Sequence, residues 1–206
     1  MAMKQWTTLA AAGAAAAAAF ATVVEPANPL VPHTGMADPH VHIFDDFAYM
    51  YSTHDELSGN GTCCTGPWWV WRSSDLVTWV QVGELNDFSW TPKSLVGANW
   101  ATDAARRADD GRYFWYVSIG GDQVGVATSS TPAGPWDDPL GTFLLPKSLG
   151  ESLDPPSNIR DPGVLQDTDG SNYLVFGACS GEKQPTVRLK MPKQSCVKQS
   201  RAQNSH

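Results

Sequence analysis

The sequence predicts an all-β protein built from repeated sheets set around a common hub. Three observations carry that prediction. A hairpin-like unit recurs three times, apolar residues alternate with period two, and no segment beyond the N-terminal stretch has helical spacing. Each unit opens on an aspartate: Asp38-Pro39-His40-Val41-His42-Ile43-Phe44, then Asp103-Ala104-Ala105-Arg106-Arg107, then Asp161-Pro162-Gly163-Val164-Leu165. Each then reaches an acidic or glycine turn (Asp45-Asp46, Asp109-Asp110-Gly111, Asp167-Thr168-Asp169-Gly170) and returns through an aromatic run. From leading aspartate to turn the spans are seven, seven and six positions: Asp38 to Asp45, Asp103 to Asp110, Asp161 to Asp167. A hairpin that puts a carboxylate at one structural place each time suggests acids converging on an axis.

The N-terminus reads as a secretory signal over residues 1–21. Lys4 supplies positive charge, Leu9 to Phe20 is alanine-rich and apolar, and Ala19-Phe20-Ala21 fits a small-x-small cleavage site. The run is too short to span a membrane. Secretion agrees with the sequon Asn60-Gly61-Thr62 and with four cysteines, Cys63, Cys64, Cys179 and Cys196, whose spacing fits no zinc motif.

The first hairpin follows from the alternation Val41/Ile43 and Phe47/Tyr49/Tyr51. Between the first two hairpins, Val70-Trp71-Arg72-Ser73-Ser74-Asp75-Leu76-Val77-Thr78-Trp79 resembles the later Val126-Ala127-Thr128-Ser129-Ser130-Thr131-Pro132-Ala133-Gly134-Pro135-Trp136. The repeating unit is therefore a hairpin plus a second strand pair, a four-stranded propeller blade of roughly 60 residues. Pro39 and Pro162 favour extended backbone at Asp38 and Asp161, which would put both carboxylates at the mouth of the central channel. Asp167-Thr168-Asp169-Gly170 imitates the start of a calcium loop, but its twelfth position is Ala178, so a hairpin turn is expected. Trp68, Trp69, Trp71 and Trp79 are expected to pack between sheets. Residues 28–178 form the predicted domain. Residues 179–206 lose the alternation and the aromatics, and read as an irregular tail.

Net charge is −7, and the 14 Lys and Arg form no basic stripe, which excludes nucleic acid and anionic membrane as partners. No cofactor or metal is expected.

The order of these motifs resembles glycoside hydrolase family 43. The matching stretches are Asn28-Pro29-Leu30-Val31-Pro32, Ala37-Asp38-Pro39, Trp71-Arg72-Ser73-Ser74-Asp75-Leu76-Val77-Thr78-Trp79, Asn99-Trp100-Ala101-Thr102-Asp103, Gly125-Val126-Ala127-Thr128-Ser129 and Arg160-Asp161-Pro162. Thr102 departs from the family, which more usually has proline there. The resemblance implies a five-bladed β-propeller that cleaves arabinan or xylan side chains with inversion, two carboxyls standing roughly 6.5–9.5 Å apart to admit a water. It further implies Asp38 as general base, Asp161 as a third acid that orients the catalytic acid and raises its pKa, and Trp100 and Asp103 in or near the sugar subsite. The partner would be a polysaccharide or oligosaccharide. The family's catalytic acid is a glutamate well beyond Asp161. Only Glu182 follows, in surroundings that do not match, so it is not assigned, and the chain is expected to be a truncated relative of about three blades.

Two other readings are open at this stage. One is a non-catalytic, secreted carbohydrate-binding propeller fragment. The other is a metal-dependent hydrolase using Asp38, His40 and His42, which alternate onto one face of a strand; that fold would need further histidines and helices.

Overall fold

A computed structural model describes residues 29–32, 34–55, 66–153, 156, 158–169 and 171–177, and the backbone of residues 187–191. The predicted signal, the sequon and all four cysteines lie outside the described residues.

The fold is all-β with one short helix. The first sheet has the order β1 (His40–Phe44), β2 (Phe47–Ser52), β3 (Trp68–Ser73), β4 (Val80–Leu85). The second is β5 (Asn99–Arg106), β6 (Tyr113–Ile119), β7 (Gln123–Ser129), followed by α1 (Lys147–Glu151). The third contains β8 (Gly163–Gln166), β9 (Asn172–Phe176) and β10 (Val187–Met191). All named neighbours pair antiparallel. The two Val-to-Trp repeats begin in the same place, since Val70 lies on β3 and Val126 on β7, each the third strand of its sheet.

Three expectations need correction. The helix at Lys147–Glu151 was not anticipated: five residues make little more than one turn, too few to carry a 3.6-residue pattern. The second sheet has three named strands instead of four. After β7, Pro132, Pro135 and Pro139 withhold backbone donors, and only the isolated bridges Thr128–Asp137 and Val124–Leu145 continue the ladder. In the stretch read as an irregular tail, Val187–Met191 forms β10 and pairs with β9, Val187 opposite Phe176.

Period-two alternation explains how the sheets stack. On β6, Tyr113, Trp115, Val117 and Ile119 face the first sheet, where they meet Phe44, Tyr51, Trp68 and Val70. Phe114 and Tyr116 face the third sheet, where they meet Ile159, Leu174 and Phe176. All seven β6 residues are buried, as a strand covered on both faces requires. Each fully buried aromatic here contributes about 2 kcal/mol of apolar burial. Trp68, Trp71 and Trp115 are core residues, in line with the packing expected of Trp68 and Trp71. On β1, His40, His42 and Phe44 turn toward the second sheet, while Val41 and Ile43 point the other way and are exposed. Among the described residues the three sheets form an open series, not a closed ring.

Candidate functional site

The inner strands β1, β5 and β8 run side by side in the same sense, and cross-sheet hydrogen bonds fix their relative height. In the middle layer, His42 meets Asp103 and Asp103 meets Val164. In the layer toward the turns, Asp45 meets Arg106, whose carbonyl accepts a bond from Gln166. Counting back from the middle layer brings Asp38, Trp100, Arg160 and Asp161 together at the opposite end, the mouth of the hub.

Strand register puts Asp38 and Asp161 at the same end, and the charge of Asp38 acts on Asp161. Their backbone is not the extended one expected before proline: φ is 49° at Asp38 and 52° at Asp161, in the left-handed region. The flanking chain is pinned on both sides. Ala37 exchanges backbone and side-chain hydrogen bonds with Thr53, and the Asp161 amide donates to Ser118 Oγ at 2.8 Å. Aspartate is among the residues that tolerate this conformation best. Burial pushes the Asp161 carboxyl up, the negative charge of Asp38 adds to that rise, and Arg160 opposes it. The charge of Asp38 thus reaches Asp161.

Trp100 is half-buried beside them. Its carbonyl accepts a 2.7 Å bond from the Trp68 indole, and the Arg160 guanidinium lies 5.6 Å from its ring centroid. Gly121 also faces this ring: a Cβ there would stand 3.6 Å from the indole carbons, and φ is +79°. Arg160 and Ser118 were missed in the sequence. Arg160 was visible as the neighbour of Asp161, whereas Ser118 is 43 positions away and has no local signal.

Asp103 is in the hub but not in register with the other two aspartates. It sits four positions further along its strand than a residue level with Asp38, because the β5–β6 turn spans Arg107 to Arg112 whereas the β1–β2 turn is only Asp45-Asp46. It is 4% exposed, and protein donors engage both of its oxygens. Oδ1 accepts from His42 Nε2 at 2.6 Å and His40 Nδ1 at 3.0 Å; Oδ2 accepts from the Val164 amide at 2.6 Å. Burial alone would raise its pKa, but the bonds from His40, His42 and Val164 outweigh that and hold it at about 2. In return, the bond to Asp103 raises His40 above its ordinary 6.5; partial burial opposes this, and the charges of Asp103 and Asp38 add to it. His40 and His42 do share a face, as the alternation required. That face grips a carboxylate of the next sheet. Among the described residues, no three His, Cys, Asp or Glu side chains are grouped to hold an ion.

A cavity of about 620 Å³ opens at the turn end, lined by Phe44, Asp45, Arg106, Gln166 and Asn172 among others. It does not include Asp38 or Asp161. Asp38, Asp161 and the Trp100 ring lie toward the other end. The Asp167–Ser171 turn closes as a hairpin, with Asp167 Oδ1 and Asp169 Oδ1 accepting from the Thr168 and Ser171 amides.

Residues 26–204 match the family model described as glycosyl hydrolases family 43. The chain belongs to this family. The match extends past Ala178 and takes in β10. An arabinoxylan arabinofuranohydrolase of Bacillus subtilis is 30% identical over 192 residues, 84% of this chain and 37% of the relative. A crystal structure of a family 43 arabinoxylan arabinofuranohydrolase from Bacillus subtilis, in complex with cellotetraose, superposes with a TM-score of 0.64 at 26% identity, covering 81% of this chain and 40% of that one. The GH43_1 enzyme of Xanthomonas citri complexed with xylotriose gives a TM-score of 0.51 at 29% identity, covering 72% and 42%. The chain thus spans less than half the length of each of these relatives. Thr102 is fully buried, its hydroxyl donates to the Tyr116 carbonyl at 2.9 Å, and it accepts from the Trp115 indole.

Proposed function

We propose that this chain carries the general-base side of a glycosidase pocket that cleaves arabinose- or xylose-bearing plant polysaccharides with inversion. Asp38 is the base that activates water, and Asp161 is the third acid that orients the catalytic acid and raises its pKa, with Ser118 accepting from its backbone amide and the Arg160 charge beside it. Trp100 lines the sugar subsite. The three sheets are blades of a propeller, and the protein acts outside the cell behind a cleaved signal over residues 1–21. The general acid is not assigned to any residue. Glu182, the only glutamate after Asp161, lies outside the described residues.

The observation that carries this reading is the meeting of Asp38 and Asp161 at one end of the hub, beside an aromatic ring. Both are on left-handed backbone, and the charge of Asp38 reaches Asp161. The relatives named above support the substrate class. One is an arabinoxylan arabinofuranohydrolase, another was crystallised with xylotriose.

The test is turnover of aryl arabinofuranoside and aryl xyloside by the full chain and by Asp38→Asn, alongside calorimetric binding of xylotriose. Turnover abolished by D38N supports the glycosidase. Xylotriose binding without turnover supports the carbohydrate-binding alternative. Neither binding nor turnover on any of these sugars removes the proposal.

A further inference from the structure

We propose that Asp103 is a positioning residue for the Asp38–Asp161 pair: one of its oxygens holds β1 through His40 and His42, the other holds β8 through the Val164 amide, and together these fix where the two mouth aspartates stand. The proposal rests on the reading of Asp38 and Asp161 as the working carboxylates, but its test does not require turnover.

The geometry is short and rigid. Asp38 is two residues before His40, and Asp161 is three residues before Val164. Each intervening segment contains a proline, so little backbone freedom separates the bonded atoms from the mouth. The three bonds are 2.6, 3.0 and 2.6 Å, and the receiving carboxylate is buried. Hydrogen bonds to an ionised acceptor are the stronger kind, and a dry site strengthens them. A displacement on the order of 1 Å at a reacting group can cost about a hundredfold in rate. Asp103 belongs to neither flanking sheet, so it holds β1 and β8 at one fixed offset. A second three-sheet contact exists at the turn end, where Arg106 bonds Asp45 at 3.2 Å and its carbonyl accepts from Gln166. That contact is solvent-exposed and at the far end of the strands, which makes it a useful control. The charged groups around the mouth are Asp38, His40, Arg160 and Asp161, with Asp103 beneath them.

The experiment is a carboxyl-carbon NMR titration of the full chain labelled at aspartate, with Asp38 and Asp161 assigned from D38N and D161N spectra. His42→Phe keeps a ring against Phe44 but removes the donor to Asp103. His42→Gln restores a nitrogen donor. His40→Ala removes the other donor at a half-exposed site. The expected result is that H42F lowers the Asp161 midpoint by the part that Asp38 contributes, toward the ordinary value near 3.9. H42Q should retain the wild-type midpoint, and Arg106→Ala should leave it unchanged. H40A adds a check of sign. Loss of a cationic imidazole by itself raises neighbouring carboxyls, so a fall reports movement. The proposal is overturned if folded H42F and H40A both keep the wild-type Asp161 midpoint, or if R106A shifts it as much as H42F does. Should H42F fail to fold, H40A decides alone. Xylotriose binding by the wild type is measured in parallel. Its absence counts against the glycosidase reading, while the titration still decides the positioning role.

Discussion

Asp38 and Asp161 share one unusual backbone state, with φ of 49° and 52°, and each precedes a proline. Two residues on different sheets do not reach the same disfavoured conformation by local preference, since proline pushes its predecessor toward extended backbone. Hydrogen bonds between Ala37 and Thr53, and from the Asp161 amide to Ser118, hold the chain beside them.

Asp161 should therefore be a site where stability is sacrificed. Its folded pKa is raised by burial, with Asp38 adding to the effect and Arg160 opposing it. A raised folded pKa favours the native state below the unfolded value and loses that advantage as pH rises through the folded value. At pH 7 the ionised group is a net cost. Asp161→Asn removes the charge and keeps a side chain that accepts left-handed φ. The expected result is a Tm about 2 °C higher at pH 7 and no gain at pH 3. Thermal denaturation monitored by circular dichroism at both values checks this, and a lower Tm for D161N at pH 7 would contradict it.

Asp103 should behave in the opposite way. Its carboxyl is held at about 2, so its contribution is complete above the unfolded value near 3.9 and disappears as pH falls through 2. Urea midpoints measured from pH 5 to pH 2 should fall steeply across that window. Asp103→Asn should flatten the fall. Asp103→Ala should cost about 3 kcal/mol at pH 7, because the Val164 amide and two imidazoles lose a buried acceptor. An Asp103→Ala protein as stable as wild type would show that this contact contributes little to folding.

Much of this was legible in the sequence, and the rest was not for physical reasons. Alternation in Phe47–Tyr51 and the aromatic run of β6 gave the strands, because period two leaves a local signature. Asp38-Pro39 and Asp161-Pro162 marked the starts of β1 and β8, although the backbone there is left-handed and not extended. Asp103 was recognised as a hub residue but put in the wrong layer, since turn length and the shift in pairing between Asn99 and Thr102 set register and neither is written in the strand pattern. The partnership of His40 and His42 with a carboxylate 61 positions from His42 depends on sheet stacking alone. Ser118 beneath Asp161 was hidden for the same reason.

His40 supplies a prediction at the basic side. The bond to Asp103 raises its pKa above 6.5, so its stabilising contribution is full below 6.5 and is lost as pH rises through the raised value. The side chain is half exposed, which limits the effect to less than about 1 kcal/mol. Stability measured by urea denaturation from pH 6 to pH 9 should decline slightly in wild type. His40→Gln should remove that decline. Persistence of the same slope in H40Q would place its origin in another group.

Thr102, where the resemblance to family 43 leads to an expectation of proline, carries a hydroxyl that pairs two buried groups. It is fully buried, donates to the Tyr116 carbonyl at 2.9 Å and accepts from the Trp115 indole. Trp115 is itself fully buried at the centre of the first inter-sheet core, against Tyr51 and Trp136. An indole N–H in that core has no water to turn to, so the hydroxyl satisfies a donor that would otherwise be stranded. Thr102→Val keeps the shape and removes the oxygen. The expected cost is about 2 kcal/mol, the penalty for leaving a buried donor unsatisfied. Thr102→Ser restores the oxygen and should recover most of it, apart from the lost methyl. Guanidinium denaturation followed by tryptophan fluorescence reads both variants, and a T102V midpoint equal to wild type would mean that Trp115 finds another acceptor.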